Sequence, residues 1–138
     1  MSVIFSRACE YGMRALVEMA RQPDHKVHLA QDLAKRLDLP APFLAKTLQT
    51  LARKGLLNST KGRRGGFSLA RAAGEIKLIE VVEAIDGLGL AHDCAIGLPK
   101  CGDKKPCAIH ARWAPIRESI IELLSTNTLL SSQAKLTQ

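Results

Sequence analysis

The feature that most constrains the fold is the segment 29–71, where two helical patterns are followed at once by a hairpin pattern. The run LAQDLAKRL repeats leucine every fourth residue and predicts a short helix. After a turn, APFLAKTLQTLARKGL predicts a second helix that starts at Ala41, with a proline suited to its first turn, and stops at Gly55. LLNSTKGRRGGFSLAR then alternates extended residues around a glycine-rich tip, which is typical of a β-hairpin.

This order predicts a winged helix-turn-helix domain, so the expected fold class is mainly α with a small β-hairpin wing. A first helix should precede the motif, running from a Ser6 cap to about Gln22. A long helix should come after the motif, because IHARWAPIRESIIELLS spaces its apolar residues three and four apart. Its apolar stripe is wider than one small domain can cover, so we expect a homodimer joined by this long C-terminal dimerisation helix. Pro115 lies inside this pattern and should bend the helix there, unless it begins a new helix.

Three parts are expected along the chain. Residues 1–87 should form the winged helix-turn-helix DNA-binding domain, residues 88–107 a cysteine-rich loop, and residues 108–138 the dimerisation helix and a C-terminal tail. A chain of 138 residues is long enough to bury one core. It has no run of about 20 apolar residues and no secretory signal pattern, so a soluble, cytoplasmic protein without a membrane partner is expected.

The positive charge of the chain is concentrated in the predicted helix-turn-helix and wing. The net charge is +7, and residues 41–71 contain seven basic side chains and no acidic one. A positive field of this kind attracts polyanions, although a merely solvated basic surface has the same charge. Together with the motif it indicates double-stranded DNA, and a two-fold protein calls for a roughly palindromic operator.

Within that interface, the second helix of the motif should enter the major groove while the wing reaches phosphates or the minor groove. Gln49 is the candidate for reading adenine, because its amide can form two hydrogen bonds to that base, although a place on a solvated flank is an equal alternative. The candidate DNA-binding residues are Lys46, Thr47, Gln49, Thr50, Arg53, Lys61, Arg63 and Arg64.

Three of the four cysteines fall in one short stretch, CAIGLPKCGDKKPCAIH, as Cys94, Cys101 and Cys107. In a reducing compartment such groups are more often metal ligands or redox sensors than disulfides. Thiolates bind iron strongly, and three of them supply most of a coordination set. The fourth cysteine, Cys9, is interpreted as a small buried apolar residue. His110 lies three residues after Cys107, a spacing that shares one face of a helix.

The sequence resembles a family of bacterial winged-helix iron-sulfur transcriptional regulators typified by IscR and NsrR. The resemblance is carried by LPAPFLAKTLQTLARKGLLNSTKGRRGGFSLAR, by the helix pattern EVVEAIDG and by the three loop cysteines, and it covers nearly the whole chain. It implies a dimeric transcription factor, usually a repressor. Such a factor senses redox state, nitric oxide or iron-sulfur status through an iron-sulfur cluster bound by the loop.

The same resemblance offers two candidates for a fourth ligand. IscR-like members use a histidine at the position of His110, whereas NsrR-like members use an acidic residue of the partner subunit's first helix, which Glu10 matches in the motif EYGMR. Six residues separate Cys94 from Cys101, where IscR has five. This departure from IscR favours a 4Fe-4S cluster slightly over a 2Fe-2S cluster, with Glu10 ahead of His110.

Two other uses of the cysteines are open. The three cysteines and His110 form a Cys3His set for structural zinc, although the spacings are longer than in a zinc knuckle. A clusterless regulator that responds by thiol oxidation is the other alternative. An enzyme acting on a small-molecule substrate is not expected, because no orienting acid, oxyanion hole or substrate-pocket motif accompanies the cysteines.

Overall fold

A computed structural model of the chain describes residues 4–133. The helices in this part are α1 (Arg7–Ala20), α2 (Ala30–Leu37), α3 (Ala41–Arg53), α4 (Leu78–Asp86), α5 (Gly89–His92) and α6 (His110–Thr126), and the strands between α3 and α4 are β1 (Leu57–Thr60) and β2 (Gly66–Leu69). The predicted class, mainly helical with one small hairpin, is confirmed. The end of the predicted C-terminal tail, 134–138, lies outside the described residues.

Helix α1 forms the centre of the domain and begins where the sequence predicts. The Ser6 hydroxyl accepts a hydrogen bond from the backbone N–H of Cys9 at 3.0 Å and so caps the first turn. Gly12 faces both α3 and α4, and a Cβ atom there would lie 2.6 Å from Cδ1 of Ile85 and 3.2 Å from Cγ2 of Thr47. The glycine therefore allows three helices to approach closely around one core.

Helices α2 and α3 form the predicted helix-turn-helix. Asp38 ends α2 in the left-handed conformation, with φ of 55°, which turns the chain sharply toward α3. Leu44, Leu48 and Leu51 are fully buried on one face of α3. This is the apolar face that the spacing predicts, and it leaves the opposite face of α3 free for another molecule.

The wing is a two-stranded antiparallel hairpin, with Leu57 opposite Leu69 and Thr60 opposite Gly66. His28 adds a one-residue bridge, because its backbone N–H and carbonyl both bond to Phe67 at 2.7 and 2.8 Å. Gly66 has φ of 146° and lies so close to His28 that a Cβ atom would collide with the His28 carbonyl oxygen. The glycines of the RRGG tip are therefore required by backbone geometry.

Helix α6 packs back on α1 and α4. Leu124 joins Cys9 and Val82 in a small apolar cluster between α6, α1 and α4. Beyond the helix, the backbone N–H of Leu129 donates to the Ile76 carbonyl at 3.0 Å, and the Leu129 side chain is fully buried. The helix runs from residue 110 to residue 126 without interruption at Pro115. The position of α6 is therefore fixed against α1 and α4, which themselves pack on α3.

Part of the apolar surface of α6 remains uncovered in one chain. Ile116 and Leu123 are 53% and 59% exposed and lie two helical turns apart, on the same face.

The sequence does not predict the short helix α5 inside the cysteine-rich segment or the 3-10 turn Ala73–Glu75 before α4. Both are short elements whose formation depends on contacts with distant parts of the chain.

Candidate metal centre and nucleic-acid interface

The three loop cysteines converge on one point. The Sγ atoms of Cys94 and Cys107 are 3.7 Å apart, and all three sulfur atoms lie within 4.8 Å of one another. All three thiols are free and partly buried. Backbone turns fold the loop onto itself, because the N–H of Gly97 donates to the carbonyl of Cys94 at 3.0 Å. The predicted group of three potential ligands is thus brought together by the fold.

His110 lies beside this group, at the start of α6. Its Nδ1 atom is 3.5 Å from the sulfur of Cys101, and its Nε2 atom is 3.0 Å from a carboxylate oxygen of Asp103. The imidazole is nearly buried, with 8% exposure, whereas the Asp103 side chain is 99% exposed. If Nε2 carries the proton and donates it to Asp103, Nδ1 presents a lone pair toward Cys101.

The local environment separates the pKa values of the thiols. Backbone N–H groups of Leu98 and Ile96 lower the pKa of Cys94 to about 7, because they donate to its thiolate. The N–H of Cys107 likewise lowers the pKa of Cys101, but desolvation and the neighbouring thiols outweigh it and raise that pKa above its usual value. Cys94 is therefore the thiol of this pair that loses its proton first.

The other two sequence candidates near this chemistry lie on α1. Cys9 is fully buried, and burial followed by the charge of Asp86 raises its pKa to about 12, which agrees with its interpretation as an apolar core residue. Glu10 is half-buried in the first turn of α1. Within residues 4–133, the converging ligand group contains only the three cysteines, so neither Glu10 nor His110 belongs to it as the loop stands; His110 is near Cys101 alone.

A pair of hydrogen bonds ties the start of the cysteine loop to α6. The indole Nε1 of Trp113 and the guanidinium of Arg117 both donate to the carbonyl oxygen of Asp93, at 3.1 and 3.3 Å. Asp93 immediately precedes Cys94, so a shift of the backbone at Cys94 would act on these bonds. We call this arrangement the Asp93 latch. Sequence reasoning missed it, because the pattern of a helix does not reveal which loop carbonyl its side chains will meet.

The exposed face of α3 presents a row of polar and basic side chains. Lys46, Gln49 and Arg53 are exposed and lie three and four residues apart, so they share one face opposite the buried leucines. Thr50 lies beside them and accepts a hydrogen bond from Arg53 at 3.2 Å. This face has the size and the chemistry to enter a major groove.

Thr47 is the one predicted DNA-binding residue that the fold turns inward. Its side chain is buried, with 6% exposure for the residue, and its hydroxyl donates to the Phe43 carbonyl at 3.1 Å. Because Thr47 lies three residues after Leu44 and four before Leu51, it shares their core-facing side of α3. It packs against Gly12 and is unavailable to a base edge.

The wing tip carries three further cations. Lys61, Arg63 and Arg64 are exposed, and none of them takes part in the ion pairs found among residues 4–133. A Cβ atom on Gly65 would collide with the Thr60 carbonyl, so the turn that presents these side chains needs glycine. The exposed cations on α3 and on the wing tip are therefore free of the acidic side chains that pair with Arg21, Arg36 and Arg71.

The fold and the site together define a class: winged-helix transcriptional regulators that bind DNA. The particular family is identified from the sequence, because residues 5–132 match the Rrf2 family, described as an iron-dependent transcriptional regulator. The chain belongs to this family. It is accordingly a regulator of transcription rather than an enzyme, and the resemblance found in the sequence is confirmed.

Two relatives illustrate the range of the family. A putative HTH-type transcriptional regulator of Aquifex aeolicus is 31% identical over 129 residues, which cover 92% of this chain and 89% of the relative. The HTH-type transcriptional regulator IscR of Xenorhabdus nematophila is 29% identical over 119 residues, which cover 86% of this chain and 72% of the relative. Both matches extend over most of the chain, so the similarity is not confined to the helix-turn-helix.

Solved structures support the same architecture. CymR, the global cysteine regulator of B. subtilis, superposes with a TM-score of 0.79 at 20% identity, over 97% of this chain and 98% of CymR. T. potens IscR superposes with a TM-score of 0.75 at 24% identity, over 100% of this chain and 95% of that chain. At these identities the likeness establishes the winged-helix fold. No helix among the described residues has the length and apolar character needed to cross a membrane.

Proposed function

We propose that this protein is a homodimeric repressor whose binding to DNA is controlled by a metal centre at Cys94, Cys101 and Cys107. The observation that carries the proposal is the convergence of three free thiols within 4.8 Å, on a loop joined directly to α6. The family to which the chain belongs is described as iron-dependent, which favours iron as the metal. The residues offered to DNA are Lys46, Gln49, Thr50, Arg53, Lys61, Arg63 and Arg64.

An iron-sulfur cluster is the proposed occupant in the sensing state, with a 4Fe-4S cluster slightly favoured over a 2Fe-2S cluster. Three thiolates are the donors that such clusters take, and the partly exposed loop carries only short backbone turns that a modest opening would release. Glu10 of the second subunit is the first candidate for the fourth ligand and His110 the alternative. The cluster would supply sensitivity to redox state, nitric oxide or iron supply.

The dimer is proposed from the uncovered face of α6. Ile116 and Leu123 are exposed large apolar residues on one face, and pairing two copies of the helix would cover them. A two-fold dimer presents two α3 helices to two half-sites, so the operator should be roughly palindromic. A ligand donated by Glu10 across this dimer would make the centre depend on the arrangement of the two subunits.

The proposed coupling runs from the loop through α6 to the DNA-binding domain. Movement of Cys94 would act on the Asp93 latch, and thus on Trp113 and Arg117 of α6. The other end of α6 packs on α1 and α4 through Leu124. Rearrangement of the loop would therefore change the angle between the DNA-binding domains of the two subunits. The fold of each domain would stay the same.

The first test is anaerobic purification, with a visible absorption spectrum and iron, sulfide and zinc analysis of the same sample. The proposal expects a broad absorption band in the visible range with iron and sulfide in nearly equal amounts. Substitution of Cys101 by serine should remove the colour and the response of DNA binding while leaving the folded helical content unchanged. A colourless parent protein that takes up no iron under anaerobic reconstitution would refute a cluster.

A clusterless thiol switch is the second candidate, favoured by the lowered pKa of Cys94 and by its 3.7 Å approach to the sulfur of Cys107. A disulfide requires the sulfurs to approach further, to about 2.05 Å. Oxidation of metal-free protein with peroxide, with mass analysis of the Cys94–Cys107 linkage and a DNA-binding assay, separates this candidate from the cluster.

A further inference from the structure

The spacing of the loop sulfurs differs from the spacing that a 4Fe-4S cluster imposes, in which each of the three thiolates binds a different iron. Thiolate sulfurs bound to different irons of one cluster stand roughly 6 Å apart, because each sulfur points away from a shared inorganic core. Here all three sulfur atoms lie within 4.8 Å of one another. The described loop is therefore closed, and it must open before Cys94, Cys101 and Cys107 can each hold a different iron.

Two separations in the closed loop match those of a tetrahedral site for one ion. Sulfurs at about 2.3 Å from a zinc-sized ion stand about 3.8 Å apart along a tetrahedral edge. The Cys94–Cys107 separation is 3.7 Å. A sulfur and an imidazole nitrogen on such an ion stand about 3.5 Å apart, and Nδ1 of His110 is 3.5 Å from the sulfur of Cys101.

The surroundings of His110 orient its imidazole ring as they would for a metal ligand. Metal-bound histidines usually donate the second ring N–H to a carboxylate or carbonyl, which fixes the ring and directs its lone pair at the metal. Asp103 stands at 3.0 Å from Nε2 of His110, on the side of the ring opposite the sulfur of Cys101. Nδ1 approaches the group from the side of Cys101 but is not yet among the converging atoms, so the ring must move toward the other two sulfurs to complete the set.

We propose that, when no cluster is present, the closed loop binds a single soft divalent ion of the zinc class through Cys94, Cys101, Cys107 and His110. Asp103 acts as a positioning residue for the histidine. Binding forms a metal–sulfur bond to each cysteine as the thiolate and releases the protons that the three thiols still carry, so no oxidant or reductant takes part. This rests on the proposed function, since the ion and the cluster compete for the same thiols and the ion would hold the loop in its closed form.

The test uses the full-length protein, reduced and freed of metal under anaerobic conditions. Co²⁺ is titrated as the probe, because tetrahedral cobalt bound by thiolates gives intense visible bands whereas octahedral cobalt is nearly colourless. The expected result is one Co²⁺ per chain with tetrahedral bands, displaced by one equivalent of Zn²⁺. Weak octahedral bands, or tetrahedral bands that persist in Cys94→Ser and Cys101→Ser proteins, would overturn the assignment.

Two variants test the fourth ligand and its positioning residue. Asp103→Asn should weaken Co²⁺ binding by about 10- to 100-fold while keeping the tetrahedral bands, as loss of an outer hydrogen-bond partner does. His110→Ala should shift the bands, because another donor replaces the imidazole. Asp32→Asn, which removes the same charge from an exposed position of α2, is the matched control and should leave both affinity and spectrum unchanged. Unaltered bands in His110→Ala protein would remove the histidine from the set.

The same samples separate failure of this inference from failure of the proposed function. Protein loaded with one Zn²⁺ should assemble an iron-sulfur cluster more slowly than metal-free protein. If a cluster forms and changes DNA binding but no single ion binds, the mononuclear site is wrong and the regulator proposal stands. If one ion binds tightly and neither a cluster nor a change in DNA binding is obtained, the proposed sensing function is wrong and the mononuclear site stands.

Discussion

Replacement of both wing arginines, Arg63→Ala with Arg64→Ala, should weaken DNA binding and flatten its dependence on salt. The two side chains are exposed and have no ion-pair partner among the described residues, so in the complex their charges are available to phosphates. The slope of log K against log salt concentration is negative, and each phosphate contact makes it steeper by about 0.9. Two arginines in each of two subunits make four contacts, so the slope should become shallower by about 3.6.

This difference in slope has a large effect on measured affinities. Between about 50 and 200 mM salt, the affinity of the parent should fall about 150-fold further than that of the variant. The assay is fluorescence anisotropy at several salt concentrations, with a duplex selected by the parent protein from a randomised library. Lys100→Ala with Lys104→Ala, which removes two exposed cations from the cysteine loop, is the control and should keep the slope of the parent. A wing variant with the parent's slope would refute the wing as a phosphate contact.

Three further predictions concern packing, pH and coupling. Gly12→Ala should destabilise the protein by about 1 kcal/mol in urea unfolding, because crowding of Ile85 and Thr47 by the added methyl group costs about 1–3 kcal/mol and the better helix propensity of alanine returns about 1 kcal/mol; a stabilised protein would show that the Ile85 side chain turns away at no cost. Burial, with Arg36 and Lys26 beside the ring, lowers the pKa of His28 while Glu18 opposes this, so the unfolded state binds the proton more tightly and stability should fall as the pH drops below about 6.5. His28→Gln should reduce this loss between pH 7 and 5, and an identical pH dependence in both proteins would exclude His28 as its source. Trp113→Phe with Arg117→Ala removes both donors of the Asp93 latch and should narrow the difference in DNA affinity between metal-loaded and metal-free protein, while costing about 1–2 kcal/mol of stability. An undiminished difference would mean that the signal bypasses the latch.

The parts of the fold that the sequence predicted are those with local causes. The α3 helix is explained by its leucine spacing and its terminal glycine, and the wing by RRGG between two extended runs. Thr47 was expected to face DNA, but it is buried. Its position, three residues after Leu44 and four before Leu51, already places it on the core side of α3. Hydrogen-bonding capacity suggested a DNA contact, but helical periodicity decided the side on which the residue lies.

The parts that the sequence did not predict depend on contacts between distant segments. Nothing local shows that Leu129 will be buried and bonded to the backbone of Ile76, or that the carbonyl of Asp93 will meet Trp113 and Arg117. The cysteine spacing predicted a ligand group but gave no distances between the sulfurs. The role of Asp103 was hidden for the same reason, because its partner His110 lies seven residues away at the start of a different element.

The central claim is that the metal state of the three loop cysteines controls binding to DNA. The most direct measurement is the DNA affinity of one anaerobic preparation in three forms, cluster-reconstituted, metal-free and Cys101→Ser, on the same selected duplex and at one salt concentration. The account predicts that the reconstituted and metal-free forms differ in Kd by at least several-fold, and that the Cys101→Ser protein has one fixed Kd whether or not iron and sulfide are supplied. Equal Kd values for all three forms would contradict this claim, provided that the reconstituted form is shown to carry its cluster.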